Sequence, residues 1–412
     1  MLKKIGFLPF LLIAFLNAIV DMGHKIIMQN TVFKIYDGAE QVILTAIVNA
    51  LILLPFVLLF TPAGWLSDRF YKPTIMRIAA WVAVGLTLMI TLAYYMGWFY
   101  FAFAMTFLLA SQSALYSPAK YGYIIELVGD NKLTLANGLV QAVSIVAILG
   151  GMLLFSVLFE SMLAEHTYQT KQDIIQLVAP LGWLLVLGSV IELILTHRLP
   201  AQSERSLPVK KSFDWQRYRR GDLLRHNLGA LRQNPLIWLC IMGLSIFWGV
   251  SQAVLATFPA FAKSILGMDN TVVIQALLAC SGLGIMIGSL IAGFISRRGI
   301  CTRLVPVGGL GMIISLFLIP QGHHANTLGL AIFSFGIFGG LFIVPLNALI
   351  QHHAPNATRG TIIAGNNWVQ NCIMISFLML MVFLSFQQVD SAILLYLISA
   401  LCALSLGFLV PK

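Results

Sequence analysis

The sequence predicts an all-α integral membrane protein of twelve transmembrane helices in two pseudo-symmetric six-helix halves. Three observations carry this. First, 59% of the 412 residues are hydrophobic and only 10% are charged, against roughly 25% charged in an average soluble domain. Second, apolar runs of about 20 residues, enough to cross a ~30 Å hydrocarbon core, recur from one end of the chain to the other. Third, the chain matches itself weakly but in order at nearly one offset, as internally duplicated membrane proteins do.

Taken in order, the apolar runs place spans near residues 5–33, 41–66, 73–96, 98–122, 133–159, 176–197, 236–264, 271–295, 303–320, 326–350, 361–386 and 390–410. Met1-Leu2-Lys3-Lys4 ahead of the first run has the charge of a signal peptide. No small-residue cleavage site closes a short apolar stretch, so the run is read as the first span. The longest polar break, 198–234, is rich in Arg and Lys, including Arg205, Lys210, Lys211, Arg217, Arg219, Arg220 and Arg225. It divides the chain into an N-terminal half (1–197), a basic connector (198–234) and a C-terminal half (235–412). Such a connector is either a solvated loop or a segment lying against anionic headgroups.

The net charge of +10 would suggest nucleic acid in a soluble protein, but its placement points to topology, and no nucleic-acid partner is expected. Lys3, Lys4, Arg69, Lys72, Arg77, the connector, Arg297, Arg298, Arg303, Arg359 and Lys412 fall on one side of the spans. Asp37, Glu40, Glu160, Glu165, Asp269 and Asp390 fall on the other, with Lys34, Lys171 and Lys263 as minority basic residues. The positive-inside rule makes the first side cytoplasmic and places both termini there. Five cysteines, Cys240, Cys280, Cys301, Cys372 and Cys402, lack metal-ligand spacing and read as buried free thiols. No nucleotide-binding, nucleophile-elbow or zinc motif occurs, so no cofactor, metal or enzymatic chemistry is expected.

The repeat is seen at an offset of 229 residues, which carries Asn137 and Gln141 onto Asn366 and Gln370. Gly64 through Arg69 (GWLSDR) falls on Gly293 through Arg298 (GFISRR). With a two-residue gap, Tyr116-Ser117-Pro118-Ala119-Lys120 parallels Ile343-Val344-Pro345-Leu346-Asn347 around a shared proline.

Candidate functional residues follow from cost, because an ionisable group at mid-membrane depth is a functional candidate by default. Asp21, His24, Lys25 and Met28 fall at i, i+3, i+4 and i+7 on one face of span one. They form either part of a binding site or an internally neutralised Asp21–Lys25 packing pair. Lys120 and Tyr121 follow Pro118 and either face a cavity or snorkel to headgroups. Asn137 with Gln141, and Asn366 with Gln370, are i, i+4 amide pairs that line a path or join helices. Gln252 and Asn347 are further substrate-side candidates.

Gly64-x-Leu66-x-Asp68-Arg69-Phe70-x-Lys72, continued to Arg77, resembles the cytoplasmic loop signature of the major facilitator superfamily. The resemblance implies that fold and a gating role for Gly64, Asp68, Arg69 and Arg77. Physically, Gly64 permits close helix approach, and Asp68 can sit at a neighbouring helix N-terminus or pair with Arg77. The alternative is a plain topogenic loop.

A closer resemblance joins Tyr116 through Gly122 (YSPAKYG), Glu126-Leu127, Lys132-Leu133, Ala136 through Leu139 (ANGL), Phe247-Trp248-Gly249 and Gly339 through Leu349 (GGLFIVPLNAL). These are similar to the bacterial lysophospholipid transporter family, LplT, through all twelve spans. Asp21 matches that family's first-helix acid. The stretch from Asp21 to Tyr36 is most similar to the transporter portion of fusions that continue into acyltransferase and acyl-carrier-protein synthetase domains. No histidine here begins the H-x-x-x-x-D acyltransferase motif, so the chain is a stand-alone member or a transporter portion. Where stand-alone members carry a basic residue after Phe-Trp-Gly, this chain has Ser251, Gln252 and Leu255. His24 and Lys25 supply positive charge in span one instead.

The resemblance implies transport of lysophosphatidylethanolamine and lysophosphatidylglycerol across the bacterial inner membrane to the cytoplasmic leaflet, for reacylation by a fused or separate acyltransferase. Membrane lipids are the other expected partners. Two alternatives stand beside it: a major facilitator drug or metabolite antiporter with Asp21 as proton carrier, and a membrane module that docks an acyltransferase.

Overall fold

The computed structural model describes residues 6–36, 38–164, 166–200, 213–266, 271–297, 299–387 and 389–409. Lys3, Lys4, Asp37, Glu165, Arg205, Lys210, Lys211, Asp269, Arg298 and Lys412 lie outside the described residues, as do the side chains of Glu40 and Lys263. The described chain is helical. Its elements are α1 (Phe7–Ile35), α2 (Gly38–Leu58), α3 (Phe60–Arg69), α4 (Lys72–Tyr95), α5 (Phe99–Val128), α6 (Leu133–Leu163), α7 (Lys171–Leu177) and α8 (Leu181–Thr196). Then come α9 (Trp215–Arg219), α10 (Asp222–Gln233), α11 (Pro235–Leu266), α12 (Thr271–Ile295), α13 (Leu304–Leu318), α14 (Ala325–His353), α15 (Arg359–Phe386) and α16 (Ser391–Leu409).

Among the described residues nine spans are long and apolar enough to cross a membrane, and two bent helix pairs raise this to eleven. The shorter apolar helix α16 supplies the twelfth of the expected spans. The span read at 41–66 is broken, and the one read at 176–197 is preceded by the short α7 at an angle. Between α2 and α3 the axis turns by 55°, four residues after Pro55, whose ring removes an amide donor and clashes with the preceding turn. Between α7 and α8 it turns by 54°, where Pro180 stands as N-cap of the second piece. Pro118 and Pro345, by contrast, sit inside the continuous helices α5 and α14. The described part of the connector is not a plain loop. It folds into α9 and the amphipathic α10, whose Leu231 is buried.

The chain forms two compact units. Unit 1 comprises Met1–Leu127, Ala147–Arg219 and Asn356–Ala364, and unit 2 comprises Val128–Val146, Arg220–Pro355 and Gly365–Lys412. This grouping by compactness differs from the division by sequence repeat at 197 and 235: unit 2 takes the first half of α6, and unit 1 takes the start of α15.

In unit 1, α8 packs on both α1 and α4. Val20, Ile27, Ile90, Tyr94, Phe155 and Leu185 pack in its buried apolar core. In unit 2, α14 crosses α12 and α13. Gly284 and Gly288 of α12 face Gly336 and Gly340 of α14, each pair at i, i+4 spacing. A Cβ on Gly288 would lie 2.0 Å from the Ile337 carbonyl oxygen, and one on Gly336 would lie 2.1 Å from that of Ser281. Only glycine allows this backbone contact, which supplies the van der Waals packing that holds helices together in lipid.

Candidate functional site

A buried polar cluster in unit 1 is assembled from three helices. Asp21 comes from α1, and Glu192 comes from α8, where it is the one charged residue of the run 181–196. Ser113, Tyr116 and Lys120 come from α5, where i, i+3, i+7 spacing puts them on one face. Ser113 Oγ donates to Asp21 Oδ2 at 2.6 Å. Lys120 Nζ lies 5.2 Å from the ring centroids of both Tyr116 and Tyr121, within cation–π range. Asp21 and Glu192 interact electrostatically with each other and with Lys120, although no salt bridge closes between them among the described residues. Four oxygens here are buried without a hydrogen-bond partner: Asp21 Oδ1, both Glu192 carboxylate oxygens and the Tyr116 hydroxyl. Glu192 and Tyr116 are each only 1% exposed.

Beside this cluster lies a cleft of about 310 Å³ with almost wholly apolar walls, including Phe70, Ile78, Val82 and Leu115. Gln112 and Tyr116 line the same cleft. Gln112 is anchored by donation to the Ala79 carbonyl at 3.0 Å. A charged centre and an apolar trough therefore meet at one residue, Tyr116.

The other span-one candidates go elsewhere. His24 is fully buried; its Nδ1 is 2.7 Å from the Tyr94 hydroxyl and its Nε2 is 3.1 Å from Thr106 Oγ1. Met28 belongs to the apolar core. Lys25 is half-buried, and the Asp21–Lys25 pair suggested by their spacing is not formed, because Asp21 turns to Ser113 on α5.

At the end of α3, the GxLxDR segment adopts the first of its two expected arrangements. Asp68 accepts from the Gly360 amide at 2.6 Å, the Thr361 amide at 3.0 Å and the Thr361 hydroxyl at 2.7 Å. It thus caps the first turn of α15, where backbone donors have no partner within the helix and the dipole favours an anion. A Cβ on Gly64 would meet Thr361 Cα at 2.7 Å, and one on Gly360 would meet Ser67 Cβ at 2.5 Å. Asp68 makes no salt bridge to Arg77, and Arg77 Nε is buried without a hydrogen-bond partner among the described residues. Arg69 stacks over Phe70, 6.0 Å from its ring. Lys72, just beyond, forms a buried salt bridge with Glu126.

The amide candidates belong to unit 2. Asn137 and Gln351 exchange two hydrogen bonds, at 2.9 and 2.8 Å, and both are buried. Gln370 donates to Asn366 at 2.8 Å along α15, and Asn347 donates to the Ile343 carbonyl at 3.0 Å along α14. Gln141 and Gln252 are half-buried on α6 and α11.

Glu192, Ser113 and Gln351 were not singled out from the sequence. Glu192 carried a usable signal, a lone acid inside a span. Ser113 and Gln351 carried none, since their importance lies in partners distant in sequence.

A helical chain with nine to eleven candidate spans among its described residues, a capped α3–α15 contact and buried charge in unit 1 has the build of a membrane transporter. It belongs to the Major Facilitator Superfamily, whose family model matches residues 10–379. Among curated relatives it is similar to the lysophospholipid transporter LplT of Photorhabdus laumondii, with 30% identity over 337 residues, 80% of this chain and 76% of that one. It is likewise similar to LplT of Escherichia fergusonii, with 29% identity over 325 residues, 77% of this chain and 74% of that one. Among solved structures, the transporter FucP in its outward conformation superposes with a TM-score of 0.72 at 11% identity, covering 98% of this chain and 99% of that one. The proton:xylose symporter XylE gives a TM-score of 0.70 at 15% identity, covering 98% of this chain and 94% of that one.

Proposed function

We propose that this protein is a lysophospholipid transporter of the bacterial inner membrane, with both termini cytoplasmic, that carries single-chain phospholipids to the cytoplasmic leaflet by alternating access. The observation that carries this reading is the likeness to LplT proteins over 80% of the chain. The geometry of unit 1 supports it independently of names. A lysolipid has one charged head and one tail, and the cluster around Asp21, Lys120 and Glu192 adjoins an apolar cleft through Tyr116. Lys120 and Lys25 are the cations for the lipid phosphate, and Tyr121 flanks the first of them. Gln141, Gln252, Asn347, Asn366 and Gln370 are further polar candidates for substrate contact. Asp68 at the start of α15 serves as a gate that opens and closes in each cycle. The lipid delivered to the inner leaflet is the substrate of an acyltransferase, fused or separate.

Uptake of labelled lysophosphatidylethanolamine by proteoliposomes containing the purified protein tests the reading. Uptake that saturates and is blocked by unlabelled lysolipid is expected. No uptake above protein-free vesicles overturns it.

A further inference from the structure

We propose that Glu192, together with Asp21 and Tyr116, forms a buried acceptor site for a primary ammonium group. The inference rests on the lysolipid reading above and deepens it, because it assigns the ethanolamine head to particular atoms. Buried polar atoms in native proteins are nearly always hydrogen-bonded, so each one left unpartnered needs a reason. Here four such atoms come together from three helices: Asp21 Oδ1, Glu192 Oε1 and Oε2, and the Tyr116 hydroxyl. Each of the three residues interacts electrostatically with the other two. The arrangement is rich in acceptors and short of donors.

Charge gives the same direction. Two acidic side chains share the neighbourhood of one lysine, so as ions they are one positive charge short of neutrality in a setting where unbalanced charge is costly. A primary ammonium supplies one positive charge and three donors, with no acceptor of its own. The tyrosine ring that Lys120 already faces at 5.2 Å offers a π-surface to a cation. A phosphoethanolamine head then spans the cluster, with its phosphate on Lys120 and its ammonium on Glu192 and Asp21. A phosphoglycerol head gains only the first contact.

The experiment measures uptake of ethanolamine-headed and glycerol-headed lysolipids by proteoliposomes carrying wild type, Glu192→Gln, Glu192→Asp or Tyr116→Phe, and reads the ratio of the two. Glu192→Gln is expected to lower the ethanolamine-to-glycerol ratio tenfold or more. Glu192→Asp keeps the charge and restores most of the ratio. Tyr116→Phe removes one acceptor and lowers it severalfold, which keeps the proposal testable if the glutamine variant fails to reach the membrane. A ratio unmoved by Glu192→Gln and by Tyr116→Phe overturns the ammonium site alone, including the case in which both lysolipids lose equally. A wild type that carries neither lysolipid overturns the transport reading and the ammonium site with it.

Discussion

Thr361 gives Asp68 two hydrogen bonds, one from its amide and one from its hydroxyl, both to Oδ2, at 3.0 and 2.7 Å. Hydrogen bonds to a charged group contribute roughly 1.5 to 3 kcal/mol each. Asp68→Asn removes the charge and replaces one acceptor oxygen with an amide NH2 donor that faces the donors at the start of α15. Because the contact biases a conformational equilibrium without touching the polar cluster, the variant should slow uptake by roughly tenfold while leaving equilibrium affinity within a few-fold. Rate and binding measured separately decide this. A large loss of affinity at a normal rate would contradict the gating role.

Gly64→Ala should open the same contact by steric means. Its Cβ would sit 2.7 Å from the Thr361 backbone, so α3 and α15 must separate. Ser67, 1% exposed, provides the reporter: a cysteine there should react slowly with a soluble maleimide in the parent and at least severalfold faster when Gly64→Ala is added. Equal rates would show that the helices tolerate the methyl group.

The exchange of hydrogen bonds between Asn137 and Gln351 predicts strong coupling. Removing one amide strands the other in a buried site, which costs about 1 to 3 kcal/mol. Asn137→Ala and Gln351→Ala should each lower the thermal midpoint in detergent. The double variant should be destabilised by clearly less than the sum of the two. Additive losses would mean that the pair is not a unit.

Lys120→Ala should weaken lysolipid binding by about tenfold or more, the value of one charge-assisted contact to phosphate. Lys25→Ala should also weaken it, at a different stage of passage. Asp21→Asn leaves Lys120 with one fewer anionic neighbour and, for a glycerol-headed lysolipid that makes no contact at the ammonium site, should impair movement more than binding. Wild-type binding and uptake in both lysine variants would return these side chains to packing and snorkelling.

The distribution of charge predicts that a cysteine at the exposed Gln169 is labelled from outside the cell and one at the exposed Arg217 only after permeabilisation. Reversed labelling would invert the topology.

Hydrophobic length made the twelve spans legible in the sequence, and the GxLxDR motif marked a helix-end contact. The motif could not choose between a helix N-terminus and Arg77 as the partner of Asp68, because that depends on where α15 begins in space. Helical spacing correctly placed Asp21, His24 and Lys25 within two turns, but it says nothing about neighbouring helices. Tyr94 and Thr106 take the histidine, and Ser113 takes the aspartate. Asn137 and Gln141 looked like one polar face, yet Asn137 turns to Gln351, more than two hundred positions away. The breaks after Pro55 and before Pro180 were hidden for a different reason: prolines within apolar runs also occur in unbroken helices here, as Pro118 and Pro345 demonstrate.

The glycine-on-glycine crossing of α12 and α14 bears on how the protein is made. Those two helices are separated in the chain only by α13, which itself packs on α14. At the four glycines their contact is backbone on backbone, so no side-chain rotamers must be ordered there to form it. As synthesis proceeds from the N-terminus, this trio can close as soon as α14 has entered the bilayer. It then stands as a finished surface in the membrane while α15 and α16 are still being translated.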